Sequence, residues 1–138
     1  MKQTRLVIIG AGLMALLTIS GLSFQSDQAD EQHKKQIAQG RELYQSHCAS
    51  CHGLDGRGRG PVAPSLRKRP ADLTVIRKKD GRFPTEQLRK IISGETVLPV
   101  HGEREMPVWG NVLKEPELTS LIRYLESIQR FPDQYPGR

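Results

Sequence analysis

The chain has 138 residues, 26% charged and 5% aromatic, with thirteen Gly, nine Pro, two Cys and a formal net charge of +6. One domain fits that length, and large multidomain enzymes, coiled coils and polytopic membrane proteins are excluded. A core this poor in rings and aliphatics would be marginal alone and calls for a staple, which the two Cys could supply as a disulfide, a metal site or a covalent cofactor.

Lys2 and Arg5 precede Leu6 to Phe24, a run of 19 residues without a charge. A basic start followed by an apolar stretch has the form of a secretory signal, here residues 1–23. As a helix the run would reach roughly 28 Å, close to the thickness of a hydrocarbon core, so an uncleaved membrane anchor through residues 6–24 is the rival reading. Both readings send the folded part out of the cytoplasm, to the periplasm or its equivalent. Residues 24–36 are polar and read as a spacer; residues 37–131 are the expected domain, and 132–138 a tail.

Residues 37–50 read as a short helix through Ile37, Leu43 and Tyr44, ending on CASCH. Random placement of two Cys and four His would give Cys48, Cys51 and His52 this spacing roughly 4 times in 10,000, so the pattern asks for a chemical reason. On a helix, positions i, i+3 and i+4 share a face. Such a face can present two thiols to the vinyl groups of one haem c while the imidazole reaches iron. Three rivals are weaker. A thioredoxin-like CxxC needs a βαβ frame, structural zinc needs a fourth ligand, and a disulfide across one helical turn is strained.

GLDGRGRG follows at 53–60. It lacks the GK[ST] ending of a phosphate loop and, with Asp55 as its one carboxylate, is no calcium loop. The glycines suit a tight loop close to a flat cofactor. Residues 57–90 then hold eleven Lys/Arg against Asp72, Asp80 and Glu86, whereas the flanking segments 27–56 and 91–138 are each net −2. A solvated face, a docking surface for an acidic redox partner and an anionic-lipid contact are the readings of this stretch; export argues against nucleic acid.

Thr85 to Ile92 places Leu88, Ile91 and Ile92 on one helical face, opening on a capping-type Thr85 and stopping at Gly94. The loop HGEREMPVWG contains Met106, the one Met beyond the leader. A lone Met more often fills a core gap, but a thioether in a loop after CxxCH is also a candidate second iron ligand. His101 is the alternative ligand, or a loop residue bonded to a propionate or to backbone. His47 sits on the proximal helix, away from the distal face, and His33 in the spacer. Trp109 either bonds a propionate through its indole N–H or packs in the core. The last helix starts near Pro116, with Leu118, Leu121, Ile122, Leu125 and Ile128 at helical spacing.

Gly40–Tyr44 through CASCHG, the Gly-rich loop, Pro64-Ser-Leu66, Met106 and the terminal helix together resemble the class I c-type cytochromes, over roughly residues 37–130. The resemblance implies a small all-α domain wrapped around one covalent haem, with His52 and Met106 as metal ligands. It also implies that the Pro64 carbonyl, with Pro61 as fallback, accepts the second N–H of His52, that Leu66 touches the haem, and that Tyr124 and Leu125 pack on Gly40 and Tyr44. The function expected is one-electron transfer between redox proteins rather than catalysis. The alternatives are an anchored subunit through which electrons enter an oxidase or dehydrogenase complex, and a haem enzyme or gas sensor, which would need a vacated iron site.

Overall fold

The computed structural model describes residues 27–96 and 106–130. The leader, His101 and the tail lie outside them. The chain divides into two units, 1–35 and 36–138.

Residues 27–47 are helical, so the stretch read as a spacer is helix from 27 onward. Its residues 27–35 are all exposed, and Glu31 pairs with Lys34 at 3.0 Å one turn on. An exposed pair of this kind contributes little. In the second unit, α1 occupies 36–47 and α2 is the short helix Ala49–His52. A break at Cys48 separates them, although the Cys48 N–H still bonds the Tyr44 carbonyl at 2.8 Å. A 3-10 turn follows at Ala63–Ser65, then α3 at Thr85–Ser93 and α4 at Glu115–Ser127. The described residues are helices and loops, and their one β contact is an isolated bridge between Lys79 and Arg82 around Asp80-Gly81.

α3 has the expected extent, but Pro84 holds the N-cap position and the Thr85 side chain makes no cap. α4 starts as expected, with Pro116 in its first turn. The Glu117 carboxylate reaches back to the Lys114 N–H at 2.8 Å, satisfying one of the donors a helix start leaves open.

Leu118, Leu121, Ile122 and Leu125 of α4 are buried and form the core with Tyr44, Ala49, Ile92 and Leu113. α1 crosses α4 at Gly40, where the backbones approach too closely for a side chain. One turn later the Tyr44 ring packs on Tyr124, centroids 5.3 Å apart and tilted by 50°. Its hydroxyl donates to the Gly53 carbonyl at 2.6 Å, so the buried ring has a satisfied polar tip tied to the end of α2. The other partner expected for α1, Leu125, is buried in the same core as Tyr44 and also borders the cavity beside it.

Candidate haem site

A cavity of ≈ 550 Å³ opens beside the core, in the range of cofactor sites. Cys48, Cys51 and His52 line one part of it, because α2 and its N-cap residue Cys48 carry them on a single turn. Leu88, Ile91 and Ile92 of α3 and Leu121 and Leu125 of α4 supply apolar wall. Met106 and Trp109 line it too, from the loop before α4. The loop 66–76 contributes Leu66, Pro70, Ala71, Asp72, Leu73, Val75 and Ile76.

His52 is held at both ends. Its backbone carbonyl accepts from the Gly58 N–H at 2.7 Å, and its ring Nδ1 lies 3.0 Å from the Ala71 carbonyl oxygen. A carbonyl has no proton to give, so Nδ1 is the donor and Nε2 keeps a free lone pair, the tautomer a metal needs. Burial pushes the imidazole pKa down and the Ala71 bond pushes it back up, with a net lowering that keeps the ring neutral.

The acceptor is therefore Ala71, not Pro64 or Pro61. Pro64 sits exposed in the 3-10 turn and is absent from the cavity lining. The turn is pinned to α2 instead, by Val62 N–H to the Ser50 carbonyl at 3.0 Å. The loop runs on past it and returns along Gly58, and that return places Ala71 at the ring. Leu66, four residues before Pro70, does line the cavity.

The two thiols are half-buried and not joined in a disulfide. Burial, then the neighbouring Cys51, pushes Cys48 up to about 12, so its sulfur stays protonated at neutral pH. Among the described residues no three His, Cys, Asp or Glu side chains gather to hold a metal ion by themselves. Two thiols, a free imidazole lone pair and a thioether around one largely apolar cavity fit a covalently held haem.

Residues to which the sequence assigned no place at the site also stand here. His47 lines the cavity, its ring 4.8 Å from Trp109 and tilted by 53°. Lys68 and Arg69, both exposed, line it as well, bringing part of the basic stretch to the site. Trp109 is also fixed through its backbone, whose N–H bonds the Ile92 carbonyl at 3.0 Å. Clustered charge was the signal available for Lys68 and Arg69; nothing in the sequence marked Ala71.

Residues 35–125 match the family described as cytochrome c oxidase, cbb3-type, subunit III. The chain is 25% identical over 127 residues to a nitrite reductase of Stutzerimonas stutzeri, an alignment covering 91% of this chain and 22% of that protein. A chain of the Kuenenia stuttgartiensis reducing HAO-like protein complex shares its fold, with a TM-score of 0.56 at 24% identity, over 72% of this chain and 46% of that one. The chain thus spans about a fifth of the one relative and under half of the other.

Proposed function

Because the chain belongs to the family of cbb3-type cytochrome c oxidase subunit III domains, and with it to the c-type cytochromes, we propose that it is a single-haem electron carrier working between redox proteins outside the cytoplasm. The observation that carries this reading is the convergence of Cys48, Cys51, His52 and Met106 on one cavity. Haem supplies a one-electron ferric/ferrous couple when bound. Cys48 and Cys51 would hold it by thioether bonds, and His52 would offer Nε2 while its Nδ1–H donates to the Ala71 carbonyl. The soft Met106 thioether favours the ferrous state and raises the potential relative to a second imidazole. The walls from α3 and α4 exclude water, which keeps the couple insulated.

Lys68 and Arg69 at the cavity, with Arg67 and Arg77 on the same exposed stretch, favour a partner with an acidic face. Such encounters are brief and use small interfaces. A second reading keeps the chemistry and adds a membrane anchor at residues 6–24, making this the subunit through which electrons enter a larger complex; the match to an oxidase subunit favours it.

The test is the exported protein made with haem-attachment machinery. It should keep a haem stain under denaturing electrophoresis and titrate as a reversible one-electron couple. A mature mass with no added tetrapyrrole would overturn the assignment. Exchange with an acidic partner should slow as salt rises; salt-independent exchange would leave the basic stretch as mere solvated surface.

A further inference from the structure

The segment 72–76 follows the residue that bonds His52, and it has no regular secondary structure of its own. Its backbone groups must find partners elsewhere. They find them on two residues that follow the C-cap Ile128 of α4. The Gln129 side-chain amide donates to the Leu73 carbonyl at 2.8 Å, and its oxygen accepts from the Ile76 N–H at 2.8 Å. The Arg130 backbone N–H bonds the Thr74 carbonyl at 2.9 Å, its Nε the Thr74 hydroxyl at 2.7 Å, and its guanidinium the Asp72 carboxylate at 2.9 Å. From the other side, the Leu73 N–H donates to the Gly56 carbonyl at 2.7 Å. Thr74 is buried within this network.

We propose that Gln129 and Arg130 are positioning residues for the iron ligand: by clamping 72–76 they hold the Ala71 carbonyl against His52 and so tune the potential of the bound haem. The proposal rests on His52 being that ligand. A carbonyl drawing on Nδ1–H raises the basicity of Nε2, and a more basic imidazole stabilises ferric iron, which lowers the potential. Five bonds from one helix end to a five-residue segment fix this carbonyl more tightly than a solvated loop would.

The experiment uses full-length holoprotein matured with covalent haem, as Gln129→Ala and Arg130→Ala, with Arg89→Ala as control. Arg89 ties α3 to Glu115 and Thr119 of α4, and its hydrogen bonds and ion pairs reach no residue of 72–76. In both test variants the midpoint potential should rise, and the His52 Nδ1–H, followed by NMR in the ferrous state, should exchange about fivefold faster or more, as expected for one lost neutral hydrogen bond. Arg130→Lys, which keeps a cation for Asp72, should fall between. The control should lose stability and leave potential and exchange unchanged. Test variants that lose stability but keep the wild-type potential and exchange rate overturn the clamp and leave the carrier reading standing. A wild-type protein without haem overturns both. Should the alanine variants not fold, Thr74→Val removes the hydroxyl that Arg130 uses at little change of shape, and Thr74→Ser restores it. The potential should rise in the first and return in the second; equal potentials in the two count against the clamp.

Discussion

The Pro70 backbone runs against Gly58 so closely that a Cβ on Gly58 would lie 2.0 Å from the Pro70 carbonyl oxygen. Gly58 also has a φ of +68°, a conformation that side chains resist. Its N–H holds the His52 carbonyl while the chain beside it delivers Ala71 to the His52 ring. Gly58→Ala should therefore cost about 2–3 kcal/mol, from overpacking against rigid backbone and the positive φ. It should also raise the haem potential by displacing Ala71. Denaturant unfolding and a redox titration check the two effects, and a variant with normal stability and potential would show that the loop gives way easily.

That contact also explains what could be read in advance and what could not. CASCH has a spacing with one helical meaning, and Leu118 to Ile128 repeats with the helical period, so the attachment site and α4 were legible. The acceptor for His52 was not, because it depends on where a loop of some eighteen residues comes back, and a backbone carbonyl has no side-chain signature. Pro64 matched a family motif, yet its turn is tied to Ser50 and Pro64 itself is exposed, outside the cavity lining. Thr85 looked like a cap, but Pro84 already sets the entrance to α3. Residues 27–36 looked like a tether because they lack an apolar face. Helix needs no such face where the residues are good formers such as Glu31, Gln32, Lys34 and Lys35. Gln129 and Arg130 escaped notice because their partners stand more than fifty residues away in sequence.

Gly40 has the same kind of contact between α1 and α4. A Cβ there would meet the Ser120 carbonyl oxygen at 2.0 Å and the Tyr124 Cβ at 2.8 Å. Both obstacles are backbone or stem, with no flexible tip to move aside. Gly40→Ala should lower stability by about 3 kcal/mol, the upper end for an inserted methyl, despite the better helix propensity of Ala. The haem spectrum should survive, since the contact lies on the far side of Tyr44 from the thiols. Equilibrium unfolding of the holoprotein reads the effect, and an unchanged midpoint would mean the helices can part at no cost.

Met106 lines the cavity while His101 lies outside the described residues, so a substitution pair separates the two candidate ligands. Met106→Ala should abolish the sulfur-to-iron charge-transfer band of the ferric protein and lower the potential, because a soft thioether no longer favours ferrous iron. His101→Ala should leave the band intact. The reverse pattern would assign the second coordination position to His101 and return Met106 to a packing role.

Asp72 gives the clamp a dependence on acid. Burial would raise its pKa, but the Thr74 hydroxyl at 2.6 Å, the Thr74 N–H at 2.9 Å and the charges of Arg130 and Arg57 outweigh it, holding the carboxyl below the usual range. A carboxylate whose folded pKa lies below its unfolded value of about 3.9 stabilises the fold fully above that value. Its contribution is then lost as pH falls through the lower, folded pKa. Asp72→Asn should thus be less stable than wild type by a constant margin between about pH 7 and pH 5, and the margin should close below about pH 4. Thermal melts of both proteins across that range decide it. A gap that persists undiminished to about pH 3 would mean that the loss comes from the altered hydrogen-bond geometry of Asn rather than from the missing charge.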